Sequence, residues 1–384
     1  MYKLPMTRTK QLCDSFLKMG VPGFDIVAYH RGECILRYQG GYSDLKNKIP
    51  VKGNERYNVY SISKPITVTA AMQLWEKGLF KLEDRLDNYM PEFAEMTVKT
   101  PDGIVPAKNP ILVQNLFEMS AGFSYDLKTP NLLAGKEALS PACPTREMMR
   151  YLAKDPLLYH PGENWRYSLA HDVLAALVEV VSGERFEEYV KKNIFDPLSM
   201  TNSTFLLPES ERDTLACHYC FNRETGEITE IGPNNGYMFG SEYASGGAGC
   251  VTTVDDYIKF AEALRTGKLV KPETLKLMTT DRLQGVQVRS YSSENIYGYG
   301  LGLRCHKAGE VRTDFGWGGA AGSYLAIDLE NELSVFHAQH MLNSPNQGIR
   351  RKVYEYVMAD LTEREEFIRM TEEPLPQTNY TLTY

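Results

Sequence analysis

Two dense apolar runs near the start of the chain, Phe24 to His30 and Cys34 to Tyr38, are separated by Arg31-Gly32 and predict a β-hairpin. A helical pattern over Thr9 to Met19 precedes them, and Pro22-Gly23 breaks it. Similar β-rich runs return near the end, at Tyr299 to His306, Tyr324 to Leu329 and Leu333 to Gln339, the last two joined across Glu330-Asn331-Glu332. Helical spacing follows over Pro345 to Leu361. Between these ends the periodicity is mostly helical, including Lys64 to Lys77 before Gly78, Asp172 to Val181 before Gly183, and Val254 to Arg265 before Gly267.

This order predicts an α+β fold in which both chain ends build one antiparallel sheet flanked by helices, with a mainly helical lobe inserted. The expected division is 1–65 with 285–365 for the sheet domain, 66–284 for the helical domain, and 366–384 for a charged and polar tail. At 384 residues the chain is long enough for two lobes.

Composition narrows the function. Apolar residues at 43% and charged residues at 24% are globular values, and the net charge of −7 with no basic tract argues against nucleic acid. No apolar run is long enough to span a bilayer, and the first twenty residues lack the apolar core of a signal peptide, so a cytoplasmic protein without membrane partners is expected. Seven scattered cysteines read as free thiols. Cys217-His218-Tyr219-Cys220 lacks a second ligand pair, so neither a metal nor another cofactor is expected.

Ser-x-x-Lys occurs three times, as Ser15/Lys18, Ser43/Lys46 and Ser61/Lys64. Ser15 falls within the first helix and Ser43 in the polar stretch Gly41 to Lys48, and both read as solvated residues. Ser61 lies where the extended segment Tyr57 to Tyr60 meets a helix whose first turn carries Pro65. A serine there has the positive end of the helix dipole beneath it, and a spacing of three puts Lys64 on the same face. A lysine with a lowered pKa at that position can accept the hydroxyl proton. On this segment alone, a capping serine beside a surface lysine is an equal reading.

The wider context is more specific. Tyr60-Ser61-Ile62-Ser63-Lys64-Pro65-Ile66-Thr67 is followed by Leu82-Glu83-Asp84-Arg85-Leu86 and Tyr89-Met90-Pro91-Glu92-Phe93. Met119-Ser120-Ala121-Gly122-Phe123, the segment Tyr167-Ser168-Leu169-Ala170-His171-Asp172, the Gly-rich stretch opening at Ser245, and Phe315-Gly316-Trp317-Gly318-Gly319-Ala320-Ala321-Gly322 come later, in that order. From roughly Gly23 to His340 the sequence closely resembles the class C β-lactamase-like serine hydrolases. That family includes β-lactamases, penicillin-binding D,D-peptidases, family VIII carboxylesterases and some acyltransferases.

The resemblance implies a β-lactamase/transpeptidase-like fold and an acyl-enzyme on Ser61 activated by Lys64. It implies that Tyr167 shuttles the proton, its pKa lowered by the neighbouring cation, and that the N–H groups of Ser61 and Ala320 form the oxyanion hole. Trp317, Gly318 and Gly319 would line the substrate site, together with Leu169 and His171.

Two departures bear on the substrate. Trp317 stands where relatives carry a cation that grips a carboxylate, and Leu169 replaces an asparagine, although His171 offers a substitute polar contact. Both favour a small-molecule ester over a β-lactam, which makes a carboxylesterase the first expectation. β-Lactamase, D,D-peptidase or amidase, and acyltransferase activities are the alternatives on the same fold. A non-catalytic binding protein is the alternative of another class. No Gly-x-Ser-x-Gly elbow supports an α/β-hydrolase.

Overall fold

The computed structural model describes residues 4–291 and 296–375. Its main feature is an eight-stranded antiparallel sheet assembled from both ends of the chain, as the apolar pattern predicts. The N-terminal part supplies β1 (Gly23–His30), β2 (Glu33–Asp44) and β3 (Ile49–Pro50). The C-terminal part supplies β4 (Gly298–Tyr299), β5 (Arg304–Cys305), β6 (Phe315–Gly318), β7 (Tyr324–Asp328) and β8 (Leu333–Ala338). Their spatial order is β4-β5-β6-β7-β8-β1-β2-β3, and the two halves meet where Val27 pairs with Phe336.

Both faces of the central strands β1, β7 and β8 are covered, which explains why these strands read as near-continuous apolar runs rather than alternating ones. Successive side chains on a strand go to opposite faces. Phe24, Ile26 and Ala28 of β1 share one apolar cluster with Tyr324, Ala326, Leu333 and Val335. Helices α1 (Thr7–Lys18) and α5 (Lys352–Thr362) close that side, Phe16 and Val357 being fully buried. Val27, Leu325, Ile327 and Phe336 join the cluster on the other face. There α4 (Val254–Arg265) packs on the sheet, and Tyr257 stacks on Phe336 at 4.3 Å. The same cluster runs on through α2 (Ser63–Glu76) and α3 (Ala170–Ser182), the latter ending at Gly183 with φ 73°. Each large side chain buried in this way contributes about 1.5–3 kcal/mol.

Several elements depart from the sequence pattern. The run Tyr299 to His306 is two short strands, β4 and β5, paired with each other around Gly300 and Gly302, because Gly302 at φ 75° turns the chain back. The helix expected from Pro345 begins only at Lys352. The stretch expected to be a tail from residue 366 begins inside a further helix, α6 (Glu365–Glu372), whose buried Phe367 meets the Tyr354 ring. Residues 376–384 of that stretch lie outside the described residues. The middle segment also holds small strand pairs, among them Tyr57–Asn58 with Val251–Thr252, which help to position the site.

Candidate active site

The short strand Tyr57–Asn58 delivers the chain to the site and continues through a bond from Val59 N–H to Cys250 O at 3.1 Å. Tyr60 then adopts φ 49°, a left-handed conformation uncommon for a bulky residue, and a 3₁₀ turn over Tyr60–Ile62 leads into α2. Side chains fasten this bend. Ser63 Oγ donates to Tyr60 O at 2.5 Å and accepts from Cys250 N–H at 2.8 Å, while Tyr257 OH donates to Ile62 O at 2.7 Å. Ser61 therefore sits partly exposed at the head of α2, with Lys64 fully buried one turn further on.

Lys64 Nζ lies 3.5 Å from Ser61 Oγ and donates to Gly247 O at 2.7 Å. The faces of Tyr167 and Tyr125 flank it, their ring centroids 4.3 and 5.5 Å away. Burial lowers its pKa to about 7, and nearby Asp172 partly opposes that shift. Asp172 is itself buried and its pKa is raised. It accepts hydrogen bonds from Ser245 Oγ at 2.6 Å and Tyr243 OH at 3.0 Å.

Tyr167 OH donates to Ser61 Oγ at 2.5 Å and accepts from the Trp317 indole N–H at 3.4 Å. Its ring lies between Tyr125, at 5.2 Å and 2°, and Trp317, at 5.8 Å and 18°. The expectation of a lowered Tyr167 pKa is overturned. Burial raises it, so this tyrosine is a neutral phenol rather than a phenolate.

The turn after β6 closes the site. Gly319 N–H donates to Ser323 O at 2.8 Å, and Ser323 Oγ donates to Val59 O at 3.0 Å, which ties this turn to the segment carrying Ser61. A Cβ on Gly319 would lie 2.3 Å from Val59 O and 2.2 Å from Ser323 Oγ, whereas one on Gly318 would approach nothing closer than 3.8 Å. Gly319→Ala is therefore expected to destabilise the fold by about 1–3 kcal/mol through overpacking against backbone. Gly318→Ala should stay within about 0.5 kcal/mol. Equal urea midpoints for the two variants would contradict this packing.

Ser61, Lys64, Tyr167 and Trp317 thus converge, and Gly318, Gly319 and Ala320 border them. The other two expected contacts are corrected. Leu169 is 2% exposed within the apolar core. His171 is fully buried, its Nε2 3.5 Å from Phe117 O and its ring under Gly302, so it presents no polar group to a ligand. Burial holds its pKa well below the ordinary histidine value. The remaining Ser-x-x-Lys serines lie apart from this cluster. Ser15 Oγ bonds Leu12 O, and Ser43, read as solvated, is instead largely buried and bonds Ile49 O.

Asp172, Gly247, Tyr125, Tyr243 and Ser245 were not anticipated. Asp172 carried a signal, since it is a carboxylate in the first turn of a mainly apolar helix. Gly247 carried a weaker one within the Gly-rich stretch, and its contact explains the residue: a Cβ there would lie 2.6 Å from Asp172 Oδ2 and 3.5 Å from Lys64 Nζ. Among the described residues no cluster of side chains is suited to hold a metal, and no helix is long and apolar enough to cross a membrane.

Comparison with known proteins gives the family of the chain. The Beta-lactamase family model matches residues 10–353. Esterase EstB of Burkholderia gladioli is 27% identical over 81% of this chain and 83% of its own length. Lovastatin esterase of Penicillium rubens is 29% identical over 67% of this chain and 68% of its own. The solved structure of EstCE1, a hydrolase with promiscuous acyltransferase activity, superposes with a TM-score of 0.76 at 25% identity, covering 91% of this chain and 97% of that one. With a family model spanning most of its length and this fold beneath it, the chain belongs to the β-lactamase family, among the class C β-lactamase-like hydrolases.

Proposed function

We propose that the protein is a carboxylesterase that acts on small neutral esters through an acyl-enzyme on Ser61. The observation that carries this reading is the joint placement of Tyr167 OH at 2.5 Å and Lys64 Nζ at 3.5 Å from one serine oxygen, with Lys64 buried and its pKa lowered to about 7. At neutral pH a large share of Lys64 is the free amine, which accepts the Ser61 proton as Oγ attacks the ester carbonyl. The N–H groups of Ser61 and Ala320 face the developing oxyanion. The resulting Lys64 ammonium is stabilised by Gly247 O and the two tyrosine faces. The neutral Tyr167 phenol gives its proton to the departing alkoxide and takes one back from the Lys64 ammonium, which returns both groups to their starting forms. Water enters by the reverse relay and releases the acid.

The substrate class follows from Trp317. Its indole N–H is already directed to Tyr167 OH and its ring stacks on Tyr167, so it offers an incoming acyl group an apolar edge and no cation. The esterases among the relatives are consistent with this preference.

A fluorophosphonate should add one equivalent to the protein, located on Ser61 by peptide mapping. Labelling elsewhere would remove the assignment. Because the base is the free amine, kcat/KM for a p-nitrophenyl ester should rise with pH through about 7 and then level off. Short neutral p-nitrophenyl esters should be turned over much faster than penicillins or cephalosporins. Trp317→Lys should reduce that ratio by weakening ester turnover and adding a charged donor for a carboxylate, an interaction of about 1.5–3 kcal/mol. A ratio unchanged by the substitution would show that Trp317 does not set substrate class.

A further inference from the structure

The peptide unit joining Gly319 to Ala320 is gripped from behind. Its carbonyl, Gly319 O, accepts a hydrogen bond from Arg350 Nη1 and another from Gly322 N–H at 3.1 Å. The same guanidinium nitrogen donates to Ser323 O at 3.3 Å, so one arginine holds both ends of the turn that follows β6. Arg350 lies just before α5 and is buried. In a trans peptide the C=O and N–H point in opposite directions within one plane. With the oxygen drawn towards Arg350, the Ala320 N–H is turned the other way, and among the described residues it donates to no protein acceptor. The turn is docked on the Val59–Ile62 segment through Gly319 and Ser323, which fixes it beside Ser61.

We propose that Arg350 is a positioning residue for the oxyanion hole, one that orients and polarises the Gly319–Ala320 peptide so that the Ala320 N–H meets the acyl oxygen at Ser61. The proposal rests on the reading of Ser61 and Ala320 given above. A charged donor on the carbonyl draws electron density towards that oxygen, and the N–H at the other end of the same conjugated unit becomes a stronger donor. The two hydrogens of Arg350 Nη1 are fixed in the guanidinium plane, so both carbonyl bonds have a set direction, which a lysine ammonium on a flexible stem provides less well. Arg350 makes no contact with substrate and exchanges no proton in this scheme.

The test compares p-nitrophenyl butyrate with its thionoester, in which sulfur replaces the carbonyl oxygen and accepts hydrogen bonds poorly. Removing one oxyanion donor outright costs about 10²–10³ in kcat, so Arg350→Met, which leaves the N–H in place but unaligned, should lower kcat on the oxoester by about 10–100-fold with KM little changed. The thionoester should lose much less, so the oxo-to-thiono preference narrows, and Arg350→Lys should fall between wild type and Arg350→Met. Circular dichroism checks folding. If Arg350→Met does not fold, the same ratio in Arg350→Lys decides the matter. An unchanged oxo-to-thiono ratio, or equal losses on both esters, would overturn the proposal and leave Arg350 a purely structural residue. Fluorophosphonate labelling of wild type tests the underlying reading separately: a wild-type protein that does not label at Ser61 removes that reading, whatever the Arg350 variants do.

Discussion

Lys64→Arg is expected to lower kcat towards the upper end of the about 10²–10⁴-fold range typical of a lost general base, with the fold intact. A guanidinium stays protonated at every pH at which the protein folds, so it can donate to Gly247 O as Lys64 does but cannot take the Ser61 proton. Lys64→Met removes the base as well and adds a second readout. The Lys64 pKa is about 7 when folded, against 10.5 for an ordinary lysine. Below pH 7 both folded and unfolded chains hold the proton, and the native state carries the full cost of a buried cation. Between about 7 and 10.5 the unfolded chain binds more protons than the folded one, so wild-type stability climbs with pH across that window. The methionine variant lacks this dependence. Its melting temperature should exceed that of wild type most clearly near pH 6, and the gap should shrink as pH approaches 10. Near-normal turnover in Lys64→Arg, or a stability gap that widens with pH, would mean that another group is the base.

Tyr167→Phe should cost about 10²–10⁴ in kcat for esters of simple alcohols, the usual contribution of a positioned proton-transfer group. The aromatic ring and its stacking between Tyr125 and Trp317 remain, so stability should change little. The loss should depend on the leaving group. An alkoxide must be protonated as it departs, whereas p-nitrophenolate departs as a stable anion. Ethyl butyrate should therefore suffer more than p-nitrophenyl butyrate, and pre-steady-state kinetics should show the deficit in acylation for the alkyl ester. Equal losses on both would assign Tyr167 a different task, such as holding Ser61 in its rotamer.

The parts of the molecule that were legible in the sequence are those whose information is local. The hairpin at Arg31-Gly32 could be read because turn residues separate two apolar runs, and positive φ at both residues bears the turn out. Helix α4 begins at Val254, where the side chain of Thr253 caps it, and ends at Arg265, as its spacing predicts. The β4–β5 hairpin was hidden because both strands are two residues long and the glycines between them interrupt no clear alternation. The surroundings of Lys64 were hidden for another reason. Tyr125 and Gly247 reach it from segments remote in sequence, so no local pattern around Lys64 reveals them. His171 misled because its neighbours in sequence, Tyr167 and Asp172, do approach Lys64, while the helical turn directs the imidazole into the core towards Phe117.

The bond from Ser323 to Val59 also has a consequence for the order in which the protein is made. The two residues are 264 positions apart. At about 5–20 residues per second, translation needs roughly ten to fifty seconds to pass from one to the other. Throughout that interval the bend at Tyr60 lacks the turn that docks on it, and β1 waits for β8 with one edge unpaired. Contacts so remote in sequence form late. A ribosome stalled just before Ser323 would carry Ser61, Lys64 and Ala320, but not the Ser323 bond to Val59 that docks the Ala320 turn beside Ser61. Reactivity towards an activity-based probe would then report complete synthesis and closure of the sheet, not the mere presence of the serine.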